Sequence, residues 1–428
     1  MPFLFSKYVR RLLGVPVHLI CGNKFGSSQQ GTMPVLGESS LESLPNEILF
    51  KIFSLLDAQF VADVIGKLCT RFAQILSDPS FWKAKLIARW PKPYPVPADE
   101  SFDWKEACVE RERHFKQWSN WEDEMKSIHI TDAHIGLIHS VLLIDDGSAC
   151  VTGSRDRDLK IWNVRDQDVA AEGHDLLLHS IPDAHDGWIW ALHCVGSTLF
   201  TSSFDSTFKL WDVECGLHRL ESFIVRAPVT TICRSDGELV LGGCDGTIYR
   251  YDLREPGGPT PFYGPTRGVI TCMAADDRTI LAGTVTARLC AFDRRTRQLR
   301  PDMGIRFKQN NPTALSFDSH QLWVGMRSGT VHTIDMKSNP SKIVQTMDVP
   351  PTQPRGMVSS IQHTLGSVLV SFVEVPMVAL EPTLDPAVIA WGPEWQQVTR
   401  FHFDGRTLAT VGSEFLEVWH PKCKTGIL

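Results

Sequence analysis

No run of 18 apolar residues occurs in the 428-residue chain, so no segment is long and apolar enough to cross a membrane as a helix. A disulfide framework is also missing: the eleven cysteines are an odd number, and no two form a C-x-x-C pair. Cys150, Cys194, Cys233 and Cys272 stand singly among apolar residues, as small core side chains do in a reducing compartment. No N-x-[ST] acceptor is present except where proline intervenes, after Asn311 and Asn339. An excess of one charge is lacking too. Lys and Arg number 43 against 49 Asp and Glu, a formal charge of −6 with no overall attraction to nucleic acid. Neither nucleic acid nor membrane is an expected partner, and the expected compartment is cytoplasm, nucleus or both.

Chemical motifs are equally scarce. G-x-x-x-x-G-K-[ST], H-E-x-x-H, G-x-S-x-G and spaced Cys/His sets are all absent, so no cofactor, no metal and no catalytic set are expected. His134 and His139 lack further convergent ligands. The Asp pairs at 145–146 and 276–277 fit hairpin turns, where Asp is favoured.

What the chain has instead is a sentence written many times. GSRDRDLKIWN at 153–163 returns as SSFDSTFKLWD at 202–212. Comparable stretches close on Trp162, Trp211, Tyr251, Phe292, Ile334, Leu380 and Trp419, spaced 39 to 49 residues apart. Period-2 alternation, as in DLKIWNV and GTIYRYD, marks strands, and a repeat near forty residues marks stacked four-stranded blades. One blade cannot bury both of its faces, so neighbours must cover them. Seven units fill 125–428. Only nine residues follow Trp419, too few for a last outer strand, whereas MKSIHIT at 125–131 is a spare strand ahead of the first unit. Pairing the two would close the ring and remove exposed edges.

The first 37 residues carry Lys7, Arg10, Arg11 and Lys24 and no acid, and read as a disordered basic lead-in. Residues 38–90 read as helices. Pro45 suits a first helical position, Glu47 a helix N-terminus and Asp78 an N-cap before Pro79. Ile48, Leu49, Ile52, Phe53, Leu55 and Leu56 make an apolar face too wide to bury internally in so small a domain. Residues 91–124 follow: RWPKPYPVPADE is a stiff Pro-rich spacer. After it, Trp104, Ala107, Cys108, Phe115 and Trp118 share one face of a linker helix.

The repeated text resembles the WD-repeat family. That resemblance implies a β-propeller in which His, Ser/Thr, Asp and Trp form a hydrogen-bonded chain. The matching residues are His134, Thr152, Asp156 and Trp162 in unit one, and His185, Thr201, Asp205 and Trp211 in unit two. Unit three retains Asp245, with Tyr251 in place of Trp. The 41–82 segment resembles an F-box: L-P-x-E-I-L, a Leu-Leu-Asp close, C-x-R-F and D-P-x-F-W. By that resemblance Leu44, Pro45, Ile48, Leu49, Ile52 and Leu56 face the Skp adaptor of a cullin–RING ubiquitin ligase. The order of the two modules is similar to the F-box/WD-repeat family. The fold class expected is α+β multidomain: a small all-α F-box domain, a linker helix and a seven-bladed WD40 β-propeller.

Within this frame the function is binding. Tight turns and the loops leading into each first strand supply the expected substrate face: Arg155, Phe204 and Arg327 from the turns, Leu137, His139, Trp188 and Trp190 from the loops. Trp and Arg are the usual interface anchors, and an Arg pair suits an acidic or phosphorylated peptide. Three readings remain at this stage. They are a non-catalytic substrate receptor of a ubiquitin ligase, a scaffold whose F-box-like helices merely cap the propeller, and a propeller enzyme, for which converging carboxylates or metal ligands are wanting.

Overall fold

The computed structural model describes Leu41 and residues 44–96, 102–165, 176–255, 257–264, 266–308, 310–318, 320–349, 356–393 and 397–422. The basic lead-in expected over 1–37 lies outside them. The described residues divide into two compact units, one holding 44–91 with 102–113, the other 92–96 with 114–422.

The first unit is helical: α1 (Asn46–Ser54), α2 (Ala58–Asp63), α3 (Thr70–Ser77), α4 (Pro79–Arg89) and the first part of α5 (Trp104–Ser119). Local signals set the helix starts. Asp57 accepts from the Phe60 N–H at the head of α2, and Asp78 accepts from Ser80 N–H with Pro79 opening α4. Pro45 stands one residue before α1 rather than inside it. Leu49, Phe53, Phe72, Trp82 and Leu86 fill the interior. Phe53 meets Phe72 edge to face at 5.2 Å, and Trp82 Nε1 donates to Leu76 O at 2.8 Å.

A buried ion pair joins the helix ends. Lys85 Nζ lies 2.9 Å from Glu112 Oε1, with the two side chains only 3% and 8% exposed. Lys85 also donates to Ser54 O and Leu56 O at the end of α1, at 3.0 and 2.5 Å. Glu112 accepts from the Ala58 N–H that opens α2, at 2.6 Å. The cation thus meets a helix C-terminus and the anion a helix N-terminus, each matching the local dipole. Such a pair contributes little net stability as a unit but is costly to break. Glu112→Ala is expected to lower the unfolding free energy of this unit by about 3–5 kcal/mol. Glu112→Gln keeps an acceptor for Ala58 N–H but leaves the Lys85 charge unmatched, and falls in between; urea unfolding of the full chain measures both.

The second unit is a ring of seven antiparallel sheets. Blade 1 runs Ile138–Ile144, Ala149–Ser154, Leu159–Asn163 and Leu177–Ile181 from inside to outside, and the next five follow the same order. Blade 6, the least recognisable in sequence, is a full sheet of Val358–His363, Val368–Phe372, Val378–Leu380 and Val388–Trp391. In blade 4 the outer place is shared by two short strands, Gln298–Leu299 and Ile305–Arg306, both pairing with Arg288–Asp293. Blade 7 takes its outer strand from the other end of the chain: Met125–Ile130 pairs antiparallel with Leu416–Pro421, as the spare strand requires.

Apolar clusters join the blades. One, for example, holds Ile128, Ile130 and Val418 of the closing blade together with Ile138, Cys150 and Trp162 of blade 1. The stretch read as a Pro-rich spacer and linker helix over 91–124 makes contacts of its own. Tyr94 OH donates to Leu365 O at 2.8 Å and Leu384 N to Pro93 O at 2.9 Å, so the Pro-rich strap lies along blade 6. Further on, Gln117 Nε2 donates to Arg406 O at 2.9 Å and Trp118 Nε1 to Ser367 Oγ at 3.3 Å. Side chains bearing hydrogen-bonding tips give this segment more to gain on the propeller than in water.

Candidate functional site

The two repeated sentences build the same hydrogen-bonded chain. In blade 1, His134 Nδ1 lies 2.9 Å from Asp156 Oδ2 and Nε2 lies 2.8 Å from Thr152 Oγ1, while Trp162 Nε1 donates to that hydroxyl at 2.9 Å. In blade 2 the corresponding distances are 3.1 Å for His185–Asp205, 2.7 Å for His185–Thr201 and 2.9 Å for Trp211–Thr201. The Lys common to both sentences closes a further link: Lys160 and Lys209 each donate at 2.8 Å to the carbonyl before the histidine, Ala133 O and Ala184 O. Blade 3 departs from what its sequence suggested. Tyr251 occupies the Trp position but packs against Phe200 and Phe208 at 5.7 and 5.3 Å, while Tyr249 OH donates to Asp245 Oδ2 at 2.9 Å.

Burial opposes the charge on Asp156, but the His134 hydrogen bond and backbone N–H groups outweigh it and hold the carboxyl at about 2. Asp205 is likewise held well below the usual carboxylate range by His185 and Thr207 against the same burial. These depressed carboxyls stabilise the fold fully above pH 4 or so, and that contribution is lost as pH falls toward 2.

Inside the ring, the residue after the first apolar position of each inner strand faces the next blade. Thr230 Oγ1 donates to Ile270 O, Thr271 to Pro312 O, Thr313 to Val358 O and Thr399 to Ile138 O, all at 2.7 Å, and Ser359 to Val398 O at 2.8 Å. These are five hydroxyl clamps on five junctions. At the two remaining positions stand His139 and Trp190, each at a β-bulge. Where the clamp is given up, the surface turns aromatic. His139 stacks on Trp190 at 4.7 Å and 15°, Trp190 lies 6.2 Å from Trp188, and Trp188 lies 5.7 Å from Phe204. The Arg155 guanidinium covers Trp188 at 4.4 Å, and its Nε donates to His139 Nε2 at 2.7 Å. That bond requires a neutral imidazole. Burial, then the charges of Arg155 and Arg400, push His139 down to about 4.

The structure thus brings Arg155, His139, Trp188, Trp190 and Phe204 into one patch, with Trp188 39% and Phe204 53% exposed. Leu137 serves as backbone, its carbonyl accepting from Arg155 N–H at 3.0 Å. Arg327 is not part of the patch; it sits on the corresponding turn of blade 5, its N–H bonded to Asn311 O at 2.9 Å. Arg400 was missed by sequence reasoning, because its strand RFHF carries no motif. The signal available was the recurring apolar–Thr/Ser pair (Val229-Thr230, Ile270-Thr271, Pro312-Thr313, Val358-Ser359, Val398-Thr399) and its break at Ile138-His139 and Ile189-Trp190.

On the helical unit, the residues expected to face an adaptor separate into two groups. Leu49 and Leu56 are in the interior, 0% and 5% exposed, so they are corrected from surface to core: with Phe53 they form the inner stripe of α1 and its end. Pro45 is exposed, Ile48 is 46% exposed, and Leu44 and Ile52 are half-buried. Leu55, at 64% exposure, extends this outer stripe; it was counted in the wide apolar face but not in the adaptor-facing set. Spacings 48, 52, 55 place them on one helical face. Arg71 fixes the start of the helix, donating to Leu44 O and Asn46 Oδ1 at 2.7 Å each.

No cluster of three or more metal-ligating side chains forms among the described residues. The nearest approach to a catalytic set, Ser316 with His363 and Asp318, is an inter-blade link: the hydroxyl that meets His363 Nδ1 at 2.7 Å also accepts that residue's backbone N–H at 3.0 Å.

Two outcomes are expected here. Thr201→Val strands both His185 Nε2 and the Trp211 N–H, costing about 2–4 kcal/mol, against about 1 for Trp211→Phe; chemical denaturation separates them. His193, pushed down to about 4 by burial and then by Arg234, stays neutral when folded and takes a proton below about 6.5 when unfolded. Melting temperature should therefore fall steadily from pH 6.5 to 4, with a shallower fall in His193→Asn.

Comparison with known proteins agrees with this geometry. The F-box-like family matches residues 41–87, and the WD domain, G-beta repeat family matches 125–163 and 177–212. F-box/WD repeat-containing protein 9 of Bos taurus is 28% identical over 393 residues, 90% of this chain and 84% of that protein. The Homo sapiens protein of that name is 28% identical over 392 residues, 90% and 83% of the two chains. Among solved structures, the RRP9 WD40 repeats superpose with a TM-score of 0.59 at 12% identity, over 70% of this chain and 98% of that one, a likeness of fold alone. With an F-box-like segment ahead of a seven-bladed ring and a likeness running through nine-tenths of its length, the chain is similar to the F-box/WD-repeat proteins.

Proposed function

We propose that the chain is the substrate-recognition subunit of a Skp–cullin–F-box ubiquitin ligase. The helical unit docks on the Skp adaptor and, through it, on the cullin and RING subunits. The propeller holds the protein to be modified. The observation that carries the reading is the apolar outer stripe of α1: Ile48, Ile52 and Leu55 lie on one face above a core that Leu49 and Phe53 already fill. A small domain that completes its own core and still presents large apolar side chains has a surface built for a partner.

The mechanism is proximity. A carrier charged with ubiquitin sits at the RING end. The lysine amine of the held substrate attacks the carrier thioester, an isopeptide bond forms and the carrier thiol leaves. Tethering raises the local concentration of that lysine to the order of mM for a short flexible tether. This chain contributes binding and position, and no proton transfer. Arg155, His139, Trp188, Trp190 and Phe204 are the substrate-facing residues in this reading, with Arg327 outside the patch.

Capture on immobilised Skp adaptor tests it. The wild-type chain should be retained. Ile48→Asp should abolish retention by placing a charge on the stripe, while the melting temperature changes little because Ile48 is largely exposed. Leu49→Ala serves as the contrast, losing stability before it loses affinity. If neither wild type nor variants are retained by a functional adaptor, the receptor reading fails and the helices are a cap on a propeller scaffold.

A further inference from the structure

Beyond naming a substrate-binding end, the central channel states what chemistry that end accepts. Seven inner strands each place one residue at the same level of the channel, fixed by the register of each blade. Six of these are small: Ser140, Ala191, Thr231, Cys272, Ala314 and Ser360. The seventh is Arg400, paired with Val411. All seven line one cavity of about 310 Å³ that opens to solvent and is shared with His139 and Trp190. Among the described residues, no carboxylate lines it.

Arg400 has a single recorded partner, Ser359 O, which accepts from Nη1 at 2.8 Å. A guanidinium has five N–H donors. The neighbouring arginine at the mouth, Arg155, is already committed to His139 and to the face of Trp188. Half-buried among small side chains, the guanidinium keeps donors open to the channel, where an anionic group can meet them. Its site lies beside the aromatic patch, one blade from His139 and two from Trp190.

We propose that Arg400 receives a carboxylate of a bound peptide, inserted into the channel while the adjoining residue of the peptide rests on the Trp188–Trp190 stack. This rests on the reading of the propeller as the substrate-binding end. Arg400 carries the one full positive charge among the lining residues, and a carboxylate matches it; a phosphate monoester, at about −1.5 to −2 near neutral pH, would also need the Arg155 guanidinium, which is engaged by His139 and Trp188. The carboxylate comes from an Asp or Glu side chain or from a peptide C-terminus.

The test uses the purified full chain, as wild type and as Arg400→Gln. Each is panned against a random nine-residue peptide display library. The peptides enriched by wild type are then synthesised with the acid as Glu, Gln or phosphoserine, and with free or amidated C-termini, and binding is read by fluorescence polarisation. The expected result is that wild type selects acidic peptides and that Glu→Gln weakens binding roughly tenfold to a hundredfold. The same exchange should have no effect on Arg400→Gln, and phosphoserine should bind no tighter than Glu. Loss of affinity on amidation instead of on Glu→Gln assigns the carboxylate to the C-terminus. Arg400→Gln should melt close to wild type, because the half-buried guanidinium gives the fold only its bond to Ser359 O. The proposal is overturned if no acidic peptide is selected, if Glu→Gln weakens both proteins equally, or if phosphoserine binds more than tenfold tighter. Capture of the same preparations by Skp adaptor reports on the receptor reading separately, so either can fail without the other.

Discussion

Everything in the second unit depends on ring closure. A four-stranded blade is apolar on both faces, and each face is covered only by the next blade. The covering works only if the last blade also meets the first. The pairing of Met125–Ile130 with Leu416–Pro421 supplies that closure, with Ile128 and Ile130 entering the cluster that holds Ile138 and Trp162. Serine and threonine clamps between inner strands reinforce five of the junctions. With the ring fixed by these repeated contacts, the remaining positions on its face and in its channel are free to vary.

That division explains where function concentrates. At the junctions around blades 1 and 2 the clamp positions are occupied by His139 and Trp190, which form a ring stack that reaches solvent through Trp188 and Phe204, while Ser202 Oγ of blade 2 donates to Val229 O of blade 3 at 3.2 Å from the neighbouring strand. The same two blades carry the complete His–Asp and His–Thr–Trp chains.

Much of this architecture was legible because it is periodic. The Trp spacing gave the blades, the paired sentences gave the two hydrogen-bonded chains, and the spare strand gave closure. Sequence failed where position within an element decides the outcome. Leu49 and Leu56 look no different from Ile48 and Leu55 in an apolar list, yet the helical turn sends one pair inward and the other outward. Tyr251 aligns with Trp, but the hydroxyl that reaches Asp245 belongs to Tyr249, which stands where blades 1 and 2 have Lys160 and Lys209. The Pro-rich stretch reads as a stiff spacer, and its sequence does not show the propeller carbonyls it lies against, Leu365 O among them. Arg400 was invisible since a lone arginine becomes unusual only against the six small residues that share its level.

The account's central claim is that one molecule joins an adaptor at its helical end to a substrate at its propeller patch. Quantitative ubiquitin-remnant proteomics in cells expressing wild type, Ile48→Asp or Trp190→Ala, under proteasome inhibition, measures both ends at once. The account predicts a common set of proteins whose lysines lose ubiquitin in both variants relative to wild type. Ubiquitination that is unchanged in either variant, or two sets with no overlap, would contradict it.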